Sequence, residues 1–226
     1  MYHPNHQPYH HVPLLLDEDE CKNPRKVIRA FFDCYGYPCT MHYLQLWFNT
    51  AIACRRFNHR TVLEMLSLKS ELLKLLEAAT IFTDNGRSDI PAKETDLFQP
   101  RWFYDYIAPD RTARDYFPRH LSEQQYRQPA LVLEECRTKR TLPEWRSILD
   151  VLFLATCQRS ANDENYSGSI YQVTYENNIG QRCRQLLQLV EAAYLIDVRE
   201  RTALTIHITA PGKTRVLQNP KKKASA

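Results

Sequence analysis

One stretch of eleven residues occurs twice in this chain with little change. LLKLLEAATIF, Leu72 to Phe82, returns as LLQLVEAAYLI, Leu186 to Ile196. Leu72, Leu73, Leu75, Glu77, Ala78 and Ala79 recur as Leu186, Leu187, Leu189, Glu191, Ala192 and Ala193, an offset of 114. An internal repeat limits the fold more than any composition figure, because both copies must bury the same face.

A second block lies upstream of each copy, in the same order but at an offset of 105. Asn23-Pro24 matches Gln128-Pro129, and Val27 and Ile28 match Val132 and Leu133. Pro38 matches Pro143, and Leu44 and Phe48 match Leu149 and Phe153. Nine extra residues in the second copy, near SANDENYSGS, reconcile the offsets. Helix-favouring composition alone would account for one such block, but not for two in the same order.

Each copy reads as three helices. In the first, Asn23 is the expected N-cap and Pro24 the first helical residue, where a missing N–H costs nothing. Val27, Ile28, Phe31, Phe32 and Tyr35 then share a face, and Gly36 and Pro38 end the helix. Thr40 is the expected cap of the next helix, with Tyr43, Leu44, Trp47, Phe48, Ala51 and Ile52 on its apolar side. A third helix is expected from about Thr61 to Phe82. In the second copy, Thr141-Leu142-Pro143-Glu144 has the form of a capping box. The third helix there, about Tyr171 to Ile196, includes Gly180 as an expected bend.

The fold class read from these signals is mainly α: two diverged three-helix units packed as a pseudo-twofold helical bundle. A short C-terminal β-hairpin is suggested by the alternation of Leu204, Ile206 and Ile208 and the turn at Ala210-Pro211-Gly212-Lys213. The scarcity of glycine, five in 226 residues, argues against an all-β fold. The expected organisation is a disordered tail over 1–20, unit 1 over 21–82, an aromatic-rich linker over 83–127 and unit 2 over 128–198. The hairpin over 199–218 and a basic disordered tail over 219–226 complete it.

No apolar run reaches the roughly 20 residues that span a bilayer, so no membrane contact is expected. The opening residues lack the layout of a signal peptide, and seven scattered cysteines without a Cys-x-x-Cys pair suit a reducing compartment. The expected location is cytoplasmic. The net charge of +4 is unevenly spread: residues 199–226 hold seven cations against Glu200 alone, a net +6, which leaves −2 for the rest.

No motif assigns a reaction. Gly-rich phosphate loops, His-Glu-x-x-His and Gly-x-Ser-x-Gly are absent. Cys34, Cys39 and His42 lack a fourth zinc ligand, and the sequence calls for no metal and no cofactor. Met1-Tyr2-His3 could wrap Cu(II) or Ni(II), as any chain with His at the third position can. Glu77 and Glu191 either face each other across the pseudo-twofold or make ordinary polar contacts.

The leading functional expectation is therefore a non-catalytic helical interaction or regulatory protein. Its partner would be an unidentified protein, taken into a groove between the copies, with a homodimer as a variant. Trp102, Phe103, Tyr104 and Tyr106 in the linker are the candidate partner-binding residues. Interleaved arginines would also suit stacked bases, but Asp105, Asp110 and Asp115 oppose phosphate, so anchoring of the linker is the favoured reading. The alternative is a nucleic-acid-binding regulator with Lys213, Arg215, Lys221, Lys222 and Lys223 on phosphates.

A second alternative comes from a resemblance. Arg114 to His120 is an Arg-x5-His element and resembles the Arg-x4–6-His element of the helical HEPN ribonucleases. Arg55 to His59 has one residue too few. The resemblance implies an arginine and a histidine lining a cleft between packed helices.

Overall fold

The computed structural model describes residues 15–53, 59–84, 112–160 and 178–209, and every regular element among them is helical. The first half contains α1 (Glu18–Lys22), α2 (Pro24–Tyr35), α3 (Tyr37–Ala53) and α4 (His59–Asp84). The second contains α5 (Glu123–Arg127), α6 (Pro129–Lys139), α7 (Leu142–Ser160) and α8 (Ile179–Thr209), preceded by a 3-10 turn at Ala113–Tyr116. None of these helices is long and apolar enough to cross a membrane.

Local chemistry explains most boundaries. Each half opens with a five-residue helix that the three-helix reading did not contain. Both are started by a capping box. Asp17 Oδ1 accepts from Glu20 N at 2.8 Å while Glu20 Oε2 accepts from Asp17 N at 3.0 Å. Ser122 Oγ accepts from Gln125 N at 3.2 Å while Gln125 Oε1 accepts from Ser122 N at 2.9 Å. Both short helices end where a proline begins the next one. The residues between them, Asn23 (φ −135, ψ 69) and Gln128 (φ −130, ψ 72), adopt nearly the same backbone. Neither side chain makes the cap hydrogen bond expected of Asn23; the turn rests on backbone geometry and the proline ring.

Gly36, at φ 64, ends α2 in the left-handed region that only glycine enters without strain. The chain re-enters a helix at once, so Thr40 does not cap α3. It lies inside α3, where its hydroxyl donates to the Gly36 carbonyl at 2.8 Å. The box expected at Thr141 is present: Thr141 N donates to Glu144 Oε2 at 2.7 Å, and these bonds hold the Glu144 carboxyl below its ordinary range. Gly180 is the second residue of α8 and bends nothing.

Packing follows the apolar faces. α2 lies on α4, and α6 lies on α8. α3 and α7 pack on each other; α4 touches α6 and α7, and α8 touches α2 and α3. The repeated segments sit in the shared core: Leu72, Leu75 and Ala78 are fully buried, and so are Leu186, Leu189 and Ala192. Trp47 is buried too, and its Nε1 donates to the Leu152 carbonyl at 3.3 Å.

The C-terminal expectation needs correction. Leu204, Ile206 and Ile208 belong to α8, which runs unbroken to Thr209, so the first strand of the hairpin is replaced by helix. Three alternating positions are a weak signal, while extending an established helix gains one hydrogen bond per residue fixed. Residues 210–218, the second strand, lie outside the described residues.

The charge division changes with it. Arg199 is buried, and its guanidinium donates to the carbonyls of Tyr126 and of Arg127, capping the end of α5. Arg201 joins α8 to α2 by bridging Asp197 at 2.8 Å and Asp33 at 2.7 Å. Arg25 pairs with Glu200. Burial pushes the Asp197 carboxyl above its ordinary range, and Arg201 and Arg29 oppose that rise. These residues, counted with the basic tail, belong to the body.

Candidate functional site

The glutamates of the repeat are the most deeply buried acids in the described structure, and each is occupied by backbone. Glu77, on α4, is 2% exposed. Its Oε2 accepts from the amides of Leu15 at 2.9 Å and Leu16 at 3.2 Å, the residues that lead into α1. Glu191, on α8, is 0% exposed. Its Oε1 accepts from Arg119 N at 2.8 Å and its Oε2 from His120 N at 2.7 Å, in the segment that leads into α5. Buried amides without helical partners need an acceptor, and a carboxylate supplies strong ones. The two glutamates do not pair with each other.

Around Glu191 the arrangement is richer. Tyr37, from the first half, donates its hydroxyl to Oε1 at 3.2 Å. Burial, and then the charge of Glu191, push that phenol well above its ordinary range. His120 Nδ1 lies 2.7 Å from the same oxygen. An ionised carboxylate only accepts, so Nδ1 is the donor. The His120 carbonyl in turn accepts from Gln188 Nε2 at 3.0 Å. These bonds fix the orientation of the imidazole, with Nδ1 turned to Glu191.

A cavity of about 150 Å3 adjoins this cluster. α3 contributes Tyr37, Met41 and His42 to its wall, the segment before α5 contributes Asp115, Arg119 and His120, and Glu191 lies at its edge. An oriented histidine at a cavity can share a hydrogen bond with a ligand. Among the described residues no three His, Cys, Asp or Glu side chains converge as metal ligands, so Cys34, Cys39 and His42 form no such group.

The residues singled out in the sequence are distributed unevenly. Trp102, Phe103, Tyr104 and Tyr106 lie outside the described residues, as do Lys213, Arg215, Lys221, Lys222 and Lys223. Of the Arg-x5-His element, His120 lines the cavity while Arg114 does not; Arg119 stands there instead, and its guanidinium donates to the Arg114 carbonyl at 3.1 Å. Arg55 lies outside the described residues. The recurrence of Glu77 and Glu191 pointed to this chemistry, but nothing local marked their partners, which lie 61 to 72 residues upstream. No protein-family model, curated protein or solved structure matches the chain.

Proposed function

We propose that this chain is a non-catalytic helical interaction or regulatory protein, built from two diverged copies of one helical unit packed about a pseudo-twofold axis. The unit comprises a capped five-residue helix, a proline-led helix, a second helix with proline at its second position and a long helix carrying the buried glutamate. Three observations support the duplication. The helix order and cap geometry repeat. The packing pairs exchange under the swap of halves, α2 on α4 with α6 on α8, and α4 on α7 with α8 on α3. Trp47 and Leu152, separated by the repeat offset of 105, meet each other directly, as matched residues near a twofold axis do.

The observation that carries the interaction reading is a set of exposed leucines on one pair of helices. Leu63 and Leu66 of α4 are 71% and 46% exposed, and Leu154 of α7 is 58% exposed. The two helices are clasped alongside by Lys69, which pairs with Asp150 and lies 5.3 Å above the Phe153 ring. Leu63 and Leu66 lie one turn apart on α4, and exposed large apolar side chains of this kind suit a contact surface, each worth about 2 kcal/mol when buried. The partner is a protein with an apolar face, and a second copy of this chain is one such partner.

Substituting Leu63, Leu66 and Leu154 together by glutamate tests this. Expected is loss of concentration-dependent association, or of a partner captured by the parent protein, with an unchanged melting temperature. Undiminished association and capture by the folded variant would reject it. The nucleic-acid reading now rests on the five cations Lys213, Arg215, Lys221, Lys222 and Lys223, since Arg199 and Arg201 are committed elsewhere. Its test is truncation after Thr209, which should abolish salt-sensitive retention of DNA or RNA.

A further inference from the structure

Another corner of the second half holds positive charge that its own contacts leave unbalanced. Arg140 follows the last residue of α6, and Arg182 lies in the first turn of α8. Both are half-buried. Arg140 Nε donates to Gln185 Oε1 at 3.3 Å, and its guanidinium lies 5.9 Å from the centre of the Trp145 ring. Gln185 is one turn along α8 from Arg182, so the two guanidiniums serve the same corner. Burial, and next to it the charge of Arg140, push the Arg182 guanidinium below its ordinary range, with Glu144 opposing. Glu144 neutralises the pair only in part, because its Oε2 accepts from Thr141 N at 2.7 Å and from Thr141 Oγ1 at 3.0 Å. Among the described residues neither arginine has a carboxylate within ion-pair distance, and Arg182 Nε is closed off from solvent without an acceptor. A buried donor left in that state calls for an ion or a ligand. The repeat indicates that cations are not required by the fold here. At the offsets of 105 and 114, Arg140 corresponds to Tyr35 and Arg182 to Leu68. Tyr35 shares a hydrogen bond with Ser67 Oγ at 2.9 Å, and Leu68 is buried in the core.

We propose that Arg140 and Arg182 form a binding site for a terminal phosphoryl group, as carried by inorganic phosphate or a phosphate monoester. A guanidinium offers its donors as a planar fork that fits two oxygens at once. A carboxylate is filled by one such fork, whereas a phosphoryl group has oxygens for two. Gln185 takes only the Nε of Arg140, which leaves the two terminal nitrogens of that fork for the ligand. The first turn of α8 adds the positive end of a long helix. A phosphodiester backbone fits less well. It is tracked by a row of cations with aromatic rings on which bases stack, and the ring beside this pair, Trp145, is 2% exposed. This proposal stands independently of the exposed leucines.

The test uses the full chain and follows the Arg182 Nε–H signal by NMR, identified by its loss in Arg182→Gln. Inorganic phosphate and O-phosphoserine are titrated at constant ionic strength, with acetate as the carboxylate probe and a duplex oligonucleotide as the diester. Expected is a saturable shift with phosphate or phosphoserine at millimolar concentration, the tighter of the two indicating the source of the group. Acetate should bind at least tenfold more weakly, and Arg140→Gln should weaken phosphate binding at least tenfold. Arg182→Gln removes a repelled charge, so without phosphate it should melt no lower than the parent. It should also lose the rise in melting temperature that phosphate gives the parent. Absence of a saturable shift with both phosphate probes, equal binding of acetate, or unchanged binding by Arg140→Gln would each overturn the proposal. So would a response to the duplex alone, which would assign the pair to nucleic acid. A lower melting temperature of Arg182→Gln without phosphate would assign Arg182 to the fold and reject the site.

Discussion

Glu77 and Glu191 stand at matching places in the repeated sequence, one on each long helix, and the contacts of each include two main-chain amides. Glu77 accepts from two main-chain amides. Glu191 accepts from two amides, a tyrosine hydroxyl contributed by the other half and an imidazole. The common part is structural: a buried carboxylate replaces the helical acceptors that an entry segment lacks. At Glu191 the Tyr37 hydroxyl also links the two halves, and the cluster borders a cavity.

The largest effects should be equal in the two halves. Leu72→Ala and Leu186→Ala remove matched, fully buried side chains, and each should cost about 2–5 kcal/mol in denaturant unfolding. A near-neutral result for either one would break the equivalence. Glu191→Gln sets an amide NH2 among four donors and should cost about 2–4 kcal/mol. A near-neutral result would mean that those donors contribute nothing.

Much of this was legible in the sequence, because the signals involved are local. The paired LLKLLEAA and LLQLVEAA segments, the Thr141–Glu144 box and the apolar faces of α2, α3 and α7 follow from spacing alone. The two short helices were also within reach: Asp17 with Glu20 and Ser122 with Gln125 both have capping-box spacing, but each precedes only five helical residues and no periodic apolar run. The acceptor role of Glu77 and Glu191 was not readable, because their donors are main-chain amides, which every residue carries. His120 drew attention for its spacing from Arg114, whereas its partner, Glu191, lies far along the chain. The hairpin failed because three alternating residues cannot outweigh the helix that runs into them.

Smaller perturbations sharpen the contrast further. Tyr37→Phe removes one of the hydrogen bonds that cross between the halves and should cost about 1 kcal/mol in the parent but almost nothing in Glu191→Gln, a coupling measurable by a double-mutant cycle. Alkaline stability provides an independent check on burial in the second half. Burial pushes the thiols of Cys136 and Cys183 up to about 12, so they stay protonated in the fold after the unfolded chain has begun to ionise. Their contribution is complete below about pH 9 and is lost as the pH rises from 9 to 12, at about 1.4 kcal/mol per pH unit for each thiol. Replacing both by alanine should flatten that slope. The smallest effect is expected at the short-helix caps: Asp17→Ala and Ser122→Ala should each cost about 1 kcal/mol.

Amide hydrogen exchange, read residue by residue in Glu77→Gln and Glu191→Gln, addresses the claim that each long helix clamps its own half's entry segment. The prediction is faster exchange at Leu15 and Leu16 in the first variant, with Arg119 and His120 unchanged, and the reverse pattern in the second. If both variants loosen the same amides, or neither variant alters any of the four, the paired clamps do not exist.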